Sequence, residues 1–226
     1  MSGPALDGYD AVILAGGRSS RLNGEPKAEM VLGGEPLLVR ALKAARGAAH
    51  VAVAGPPTLA RLLSGPGARP LLVREDPPFS GPAAAVGAAL TALGVLADQT
   101  GAVRTPWTLL LACDMPQAKQ AVAALLAAAE ADPGQSVLAV DTAGKAQPLA
   151  GLYRTGDLIE AVAPGPDGLA NLSMFSMLAR VQWREVAVPE GSTADVDTWA
   201  DAGKWGIRPG TRTAVSPPGS AAAAKD

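Results

Sequence analysis

The stretch AVILAGGRSSRLNGEPKAEM, at residues 11–30, passes from an apolar run to two adjacent glycines and then to a group of cations. The apolar run is short and is followed by glycine, which predicts a strand that ends at Leu14. Gly16 and Gly17 allow the backbone to turn sharply after this strand, so that backbone amides can face an anion. The stretch is therefore typical of an α/β protein with an anion-binding turn after its first strand.

Three cations follow the turn, namely Arg18, Arg21 and Lys27. Arginine suits bidentate contacts to phosphate, and lysine supplies a compact positive charge. The alternative interpretation is a solvated turn with ordinary surface cations, and these residues alone do not decide between the two. The stretch lacks both the Gly-Lys-Ser/Thr of a Walker loop and the spacing G-x-G-x-x-G, which disfavours a P-loop protein and a dinucleotide-dependent oxidoreductase.

Short apolar runs alternate with longer segments rich in Ala and Leu along the rest of the chain. We expect strands at residues 10–14, 50–54, 69–73, 107–112, 136–140, 148–153 and 185–188. We expect helices at residues 36–46, 58–64, 81–97, 117–131, 156–163 and 171–180. Several strands are apolar on both faces, which predicts a mostly parallel sheet with helices on each side. This pattern predicts one domain at residues 1–208, followed by a flexible tail at residues 209–226.

The composition limits the partners and the chemistry. A formal net charge of -2 predicts neither a nucleic-acid nor a membrane partner, and the sequence shows no secretion signal, so we expect a cytoplasmic protein. Cys113 and His50 are the only residues of their kinds, which excludes internal disulfides and metal clusters built from several cysteines or histidines. Catalysis must therefore use carboxylates, cations, backbone amides or a bound hard metal ion.

In the stretch WTLLLACDMP, at residues 107–116, an apolar strand is expected to end just before Cys113 and Asp114. Ligands of open α/β sheets bind at the carboxyl ends of the strands. Magnesium prefers one or two carboxylates together with phosphate oxygens and water. Asp114 is therefore a candidate metal ligand, and the alternative is that it caps the helix expected to begin near Gln117.

A second acidic loop follows another expected strand, in the stretch VREDPPFSGP at residues 73–82. Glu75 and Asp76 come directly after the strand, and Gly81 precedes a helix that begins with proline. In the functional interpretation Asp76 contacts a ligand and the N-terminus of the helix faces an anion. An ordinary loop with a helix cap explains the same residues equally well.

The stretch STADVDTWADAG, at residues 192–203, places Asp195 and Asp197 two positions apart, just before Thr198. Helix capping by Thr198, with acidic residues near the first turn, accounts for such a run. Alternatively, one of the two aspartates supplies a second carboxylate to the metal.

Five stretches, taken in order, resemble the motifs of the molybdenum cofactor guanylyltransferases, which belong to the Rossmann-like nucleotidyltransferases. They are LAGGRSSRLNGEPK, DPPFSGPAAAVGAAL, LLLACDMP, AQPLAGLYR and DVDTWAD. The resemblance extends from Ala11 to about Ile207. It implies a Rossmann-like three-layer sandwich with a mostly parallel, mixed sheet, the fold of the nucleotide-diphospho-sugar transferases. Five motifs in the same order are far more specific than any one of them.

The resemblance also implies a set of site residues. The nucleotide-binding residues would be Leu14, Ala15, Gly16, Gly17, Lys27, Asp76, Gly81 and Asp114. Arg21, Lys27 and Asp114 would be the catalytic residues. Asp114 would bind Mg²⁺, with Asp197, or else Asp195, as the second metal ligand.

The implied reaction transfers GMP from GTP to molybdopterin and releases pyrophosphate. GTP and molybdopterin would be the substrates and Mg²⁺ the cofactor, and the resemblance implies transient contact with molybdenum-insertion proteins or molybdoenzymes. The attacking phosphate of molybdopterin is already ionised at neutral pH. The protein therefore has to align the phosphates and neutralise their charge, and no catalytic His or Cys is required.

Three departures from the family pattern leave the nucleotide open. Pro26 stands before Lys27, where the guanylyltransferases usually have Asp, three alanines at residues 83–85 replace Leu-Ala-Gly, and the segment AGPP at residues 54–57 lacks an Asn. The enzymatic alternatives are a CTP-dependent molybdopterin cytidylyltransferase and a sugar-phosphate nucleotidyltransferase of the same fold. The alternative outside enzymes is a catalytically inactive nucleotide-binding protein.

Overall fold

The computed structural model describes residues 6–17, 19–64, 70–163 and 168–210. Its main-sheet strands are β1 (Tyr9–Leu14), β4 (Val51–Ala54), β5 (Leu71–Val73), β6 (Trp107–Ala112), β7 (Ser136–Val140), β8 (Ala146–Arg154) and β9 (Trp183–Ala187), and a separate pair consists of β2 (Val31–Leu32) and β3 (Glu35–Pro36). The main sheet has the order β5-β4-β1-β6-β8-β7-β9. Strand β8 runs antiparallel to β6 and β7, whereas the other neighbouring pairs are parallel. The expected mostly parallel, mixed sheet is confirmed.

The helices cover both faces of this sheet. They are α1 (Leu37–Ala44), α2 (Pro82–Thr100), α3 (Ala118–Ala131), α4 (Thr155–Ala161) and α5 (Met174–Met177). A further helix, α6 (Trp199–Trp205), packs in a separate apolar cluster. Successive strand residues point to opposite faces, so Ile13 packs with α1 and α3, while Val12 packs with α2, α4 and α5. The expected three-layer arrangement follows from this alternation.

Two of the expected helices are shorter or tighter than predicted. Residues 57–62 form a 3₁₀ helix rather than the α-helix expected at residues 58–64, and it begins with two prolines, Pro56 at its N-cap and Pro57 at its first position. The helix expected at residues 171–180 starts only after Ser173, whose side chain caps it, and becomes 3₁₀ after Met177. The first residue of the strand expected at 69–73 lies outside the described residues.

The antiparallel pair β2–β3 was not predicted. Gly33 and Gly34 connect its two strands and both have positive φ angles, +61° and +87°, which glycine adopts at little cost. Each strand is only two residues long. So short a segment carries no periodic pattern that a sequence can reveal.

A small apolar cluster joins the C-terminal segment to the region after β1. It contains Leu22, Met30, Leu37, Val196, Ala202 and Ile207. Arg208 pairs with Val31 through backbone hydrogen bonds, and Gly210 N donates to Glu25 Oε1 at 3.2 Å. These contacts extend slightly past the predicted domain end at residue 208, and residues 211–226 of the expected tail lie outside the described residues.

Helix α2 is long and apolar enough, by length and composition, to cross a membrane. Its inward residues, among them Val86, Ala89 and Leu90, are buried in the core beneath it. We therefore interpret α2 as a core helix of the three-layer domain.

Candidate active site

A cleft of about 470 Å³ lies at the carboxyl edge of the sheet. The loops after β1, β4, β5 and β6 line it together with the start of α2, as the rule for open α/β sheets predicts. Lys27 and Asp114 contribute charge on the β1–β6 side. Leu59, Phe79 and Pro82 contribute apolar surface nearer β4 and β5, where Arg74 and Glu75 add a second pair of charged groups. Because β5 and β6 are three strand positions apart, the two sides are separated by roughly 14 Å.

The loop after β1 contributes backbone to the cleft wall. Leu14, Ala15, Gly16 and Gly17 all line the cleft, and Ala15 N donates to the carbonyl of Ala54 on the neighbouring strand. The conformational need for glycine lies at Gly17, whose φ of +134° is one that L side chains rarely adopt. This geometry places backbone close to any ligand in the cleft, as the sequence predicts.

Lys27 joins two carboxylates that are far apart in the chain. Its Nζ donates to Asp114 Oδ2 at 2.8 Å and also to Asp197 Oδ1. The Lys27 and Asp114 side chains retain only 21% and 18% of their exposure, against 41% for Asp197. This one ammonium group therefore joins the loop after β1, the loop after β6 and the C-terminal segment.

Burial alone would lower the pKa of Lys27. The charge of Asp114 and the hydrogen bonds that Lys27 donates to both carboxylates outweigh burial and raise that pKa above its ordinary value. Lys27 is thus a fixed cation throughout the neutral range, as a phosphate-binding lysine must be.

Two further charged residues, Arg21 and Asp195, lie near Lys27 and its two carboxylate partners. Arg21 Nη1 lies 3.4 Å from Asp197 Oδ2 and the Arg21 side chain is largely exposed. Partial burial, and then the charges of Asp197 and Asp114, raise the pKa of Asp195. Of the two candidate second carboxylates, Asp197 is the one that contacts Lys27 beside Asp114.

The capping explanation fails for Asp114. Helix α3 has Gln117 as its N-cap, without a side-chain cap hydrogen bond, and the Asp114 carboxylate instead contacts Lys27. The backbone carbonyl of Asp114 accepts from Val196 N at 3.0 Å. Asp114 is therefore held by its side chain and its backbone at the junction of three segments.

The capping explanation does hold for Thr198, which is the N-cap of α6. Its hydroxyl accepts from Asp201 N, and the Asp201 carboxylate accepts from Thr198 N, which forms a complete capping box at the start of α6. This box stabilises α6 immediately after Asp197. The run of acidic residues thus contains both a helix cap and a carboxylate at the cleft.

Other candidate residues have different positions. Gly81 lines the cleft, with a φ of +96°, at the start of α2. Asp76 is exposed, and among the described residues it is Glu75, rather than Asp76, that lines the cleft in this loop. Arg18 lies outside the described residues. The nucleoside contact of Asp76 therefore stays a prediction.

Sequence reasoning did not identify Arg40. From α1, its Nε and Nη2 both donate to the carbonyl of Pro116, at 3.2 Å and 3.1 Å. Pro116 belongs to the same short loop as Asp114, so Arg40 fixes the backbone that carries this carboxylate. A contact between an arginine and a backbone carbonyl 76 positions away leaves no pattern in the sequence.

Cys113 is inert by its environment. It is buried beside Asp114, and burial, together with that negative charge, raises the pKa of the thiol far above neutrality. The thiolate is the reactive form of cysteine. The thiol is therefore unsuited to act as a nucleophile.

The donor set suits a hard divalent cation. Asp114 and Asp197 lie close together because both contact Lys27 Nζ, and each has a second carboxylate oxygen. Magnesium takes one or two carboxylates and completes its shell with phosphate and water. The described residues contain no group of three or more metal-binding side chains. A magnesium ion at this place would therefore depend on a bound phosphate for part of its coordination.

The loops after β1 and β6 bring a lysine and an aspartate together at the carboxyl edge of a Rossmann-like sheet. This arrangement is the type of site that a nucleotidyltransferase uses. A family model for the MobA-like NTP transferase domain matches residues 11–180. The chain belongs to this family and is a nucleotidyltransferase. A comparison with curated protein sequences finds no significant match.

Solved structures share the fold at low sequence identity. A homologue of Mycobacterium tuberculosis Rv0371c from Mycobacterium sp. strain JC1 is 24% identical, with a TM-score of 0.61 over 87% of this chain and 93% of that chain. Molybdopterin-guanine dinucleotide biosynthesis protein A from Archaeoglobus fulgidus is 17% identical, with a TM-score of 0.61 over 87% and 96%. The 4-diphosphocytidyl-2C-methyl-D-erythritol synthase from Anaerococcus prevotii is 11% identical, with a TM-score of 0.62 over 88% and 94%.

Proposed function

We propose that this protein transfers GMP from GTP to molybdopterin, with release of pyrophosphate and with Mg²⁺ as the cofactor. The observation that carries the proposal is the contact between Lys27 and Asp114 in a cleft that is otherwise largely apolar. A cleft whose surface is largely apolar, with the Lys27 ammonium group on its β1–β6 side, suits a nucleoside triphosphate, whose base is planar and whose phosphates are anionic.

The chemistry requires alignment rather than a protein nucleophile. A terminal phosphate oxygen of molybdopterin attacks the α-phosphorus of GTP and forms a new phosphorus–oxygen bond. The bond between the α-phosphorus and the bridging oxygen breaks, and the electron pair leaves with pyrophosphate. Lys27 and Arg21 neutralise the charge that accumulates on the phosphates, and the backbone around Gly17 allows them to approach closely.

Asp114 and Asp197 are the residues that would hold the magnesium ion. The ion supplies Lewis-acid polarisation of the phosphoryl oxygens. Arg40 holds the Asp114 loop in place through Pro116. The side chain of Lys27 is already bound by two carboxylates, so its ammonium group is positioned before the phosphates arrive.

CTP in place of GTP is the main alternative. It is favoured by Pro26 next to Lys27, a pair that resembles the cytidylyltransferase branch, and a cytidyl-transferring synthase is among the structures of similar fold. A sugar phosphate in place of molybdopterin remains the other alternative within this fold. Retention of Arg21, Lys27 and Asp114 disfavours a protein that binds nucleotide without turnover.

Pyrophosphate release tests the proposal directly. Purified protein is incubated with Mg²⁺ and either GTP or CTP, with and without molybdopterin, and with Asp114→Asn as the matched inactive control. The proposal expects pyrophosphate only when GTP and molybdopterin are both present. Release with CTP instead of GTP would overturn the choice of nucleotide. If molybdopterin is present and neither GTP nor CTP gives pyrophosphate, the assignment of molybdopterin as the acceptor is overturned.

A further inference from the structure

The loop between β5 and α2 forms a distinct rim of the cleft. Three of its side chains, Arg74, Glu75 and Phe79, line the cleft. Phe79 N donates to Glu75 Oε1 at 2.9 Å, and the guanidinium carbon of Arg74 lies 5.2 Å from the centre of the Phe79 ring. The three residues therefore form one connected unit, which we call the β5 rim.

Phe79 is unusual for a large apolar residue. Its side chain is 49% exposed although it lies at a cleft, and its φ of +67° is one that a bulky residue rarely adopts. Such conformations concentrate at ligand-binding sites, where the surrounding structure enforces them. The Ser80 hydroxyl donates to the carbonyl of Pro77 at 2.6 Å and helps to fix this turn.

The position of the rim matches the base of a nucleotide. The charged pair of Lys27 and Asp114 lies on the β1–β6 side of the cleft, whereas the rim follows β5 at the sheet edge. A triphosphate at the charged side places the base towards this edge. An aromatic ring stacks on any nucleobase without discriminating between bases, and a nearby guanidinium adds to the stacking.

The Glu75 carboxylate can distinguish guanine from cytosine. A carboxylate only accepts hydrogen bonds. Guanine offers two adjacent donors on its Watson–Crick edge, N1–H and the 2-amino group, whereas cytosine offers one amino group beside two acceptors. One oxygen of Glu75 is tied to Phe79 N, so the orientation of the carboxylate is fixed relative to the stacking ring.

We propose that Glu75 selects guanine over cytosine in this cleft, with Phe79 and Arg74 as the platform on which the base stacks. This inference rests on the proposed function, because it requires a nucleoside triphosphate in the cleft. It assigns the choice of base to the β5 rim rather than to the region of Pro26.

The test compares binding of GTP, CTP and inorganic tripolyphosphate, each with Mg²⁺, to the full chain by calorimetry. In Glu75→Gln an amide donor replaces one acceptor while the shape is kept. We expect the affinity for GTP to fall roughly 10- to 100-fold, the usual effect of losing a bidentate base contact. Binding of CTP and tripolyphosphate should be unchanged.

Two further variants serve as controls. Phe79→Ala should weaken GTP and CTP alike and leave tripolyphosphate binding unchanged, because stacking does not distinguish the bases. Glu130→Gln makes the same charge change at an exposed position on α3, and it should leave all three affinities unchanged.

Each result has a definite meaning. An unchanged ratio of GTP to CTP affinity in Glu75→Gln overturns the role of Glu75, and the proposed function survives if the parent protein still transfers GMP. Tighter binding of CTP than of GTP by the parent overturns guanine selection together with the choice of GTP. A fall in tripolyphosphate binding in Glu75→Gln would overturn the assignment of the rim to the base.

Discussion

Lys27 Nζ donates to Asp114 Oδ2 at 2.8 Å, although 87 positions separate the two residues in the chain. The contact joins the loop after β1 to the loop after β6, and these two strands are neighbours in the sheet. The charge of Asp114 and the hydrogen bonds that Lys27 donates raise the pKa of Lys27, so the ammonium group keeps its charge in the cleft at neutral pH. In the proposed transfer between phosphates, Lys27 neutralises phosphate charge and Asp114 is a ligand for the metal ion.

Replacement of Asp114 by Asn should abolish turnover in a folded protein. The variant keeps the size of the side chain but loses the charge that Mg²⁺ and Lys27 require. We expect the rate of pyrophosphate release to fall at least roughly 100-fold, with a far-UV circular dichroism spectrum like that of the parent. Unfolding of this variant would indicate instead that the main role of Asp114 is structural.

Replacement of Lys27 should weaken nucleotide binding, and its effect on stability should not depend on pH in the neutral range. The raised pKa of Lys27 means that its ion pairs stabilise the folded state below the ordinary lysine pKa. This stabilisation is lost as the pH rises through the raised pKa. The difference in free energy of unfolding between the parent and Lys27→Met should therefore stay constant between about pH 7 and pH 9. A difference that vanishes within that window would contradict the ion-pair assignment.

Arg40 should act on catalysis through the Asp114 loop. Arg40→Ala removes both donors to the Pro116 carbonyl, and we expect kcat to fall roughly 10- to 100-fold with a smaller change in KM for GTP. Lys43→Ala is the matched control, because Lys43 also pairs with Glu35, whereas among the described residues it is Arg40 whose side chain donates to the Pro116 carbonyl. Arg40→Lys should recover part of the activity, since it can supply one donor. Parental kcat in Arg40→Ala would show that the loop does not need this contact.

The capping box of α6 should contribute to stability. Thr198→Ala removes the side-chain acceptor for Asp201 N, and we expect a loss of about 1 kcal/mol in the free energy of unfolding. Urea denaturation measures this loss. An unchanged midpoint and slope would mean that α6 does not unfold together with the domain.

Asp201 should titrate at unusually low pH. The hydrogen bonds from Thr198, and then from Lys204, lower the pKa of Asp201 to about 2. Its contribution to stability is therefore present above the ordinary pKa of an aspartate and is lost as the pH falls through the lowered value. Carbon NMR of the carboxyl group should give a midpoint near this value, and Thr198→Ala should raise it. An ordinary midpoint in the parent would contradict the capping geometry.

The sequence was sufficient for the sheet but not for some of its connections. Strands such as β1 and β6 are continuous apolar runs with turns after them, so their pattern alone identifies them. The 3₁₀ segment at Pro57–Leu62 and the one-turn helix α5 were expected as ordinary helices. Their composition is helical, but proline placement and a late serine cap shorten them, and tertiary packing decides such cases.

Part of the candidate site could also be predicted from the sequence. Lys27 and Asp114 stand directly after strands, and the rule that ligands bind at carboxyl ends of strands identifies such positions. Glu75 lines the cleft in place of Asp76, and Phe79 in the same loop has a positive φ. No local pattern in the sequence reveals either feature. The contact between Arg40 and Pro116 depends on how α1 packs beside α3. Such contacts follow from the folded arrangement and not from spacing along the chain.

The most direct test of the central claim is a crystal structure of the protein with Mg²⁺ and a non-hydrolysable GTP analogue. The account predicts that the triphosphate lies in the main cleft, in contact with Lys27 and with the metal bound at Asp114. A triphosphate in the polar groove between α1 and α3, which Lys43 and Lys119 line, would contradict it.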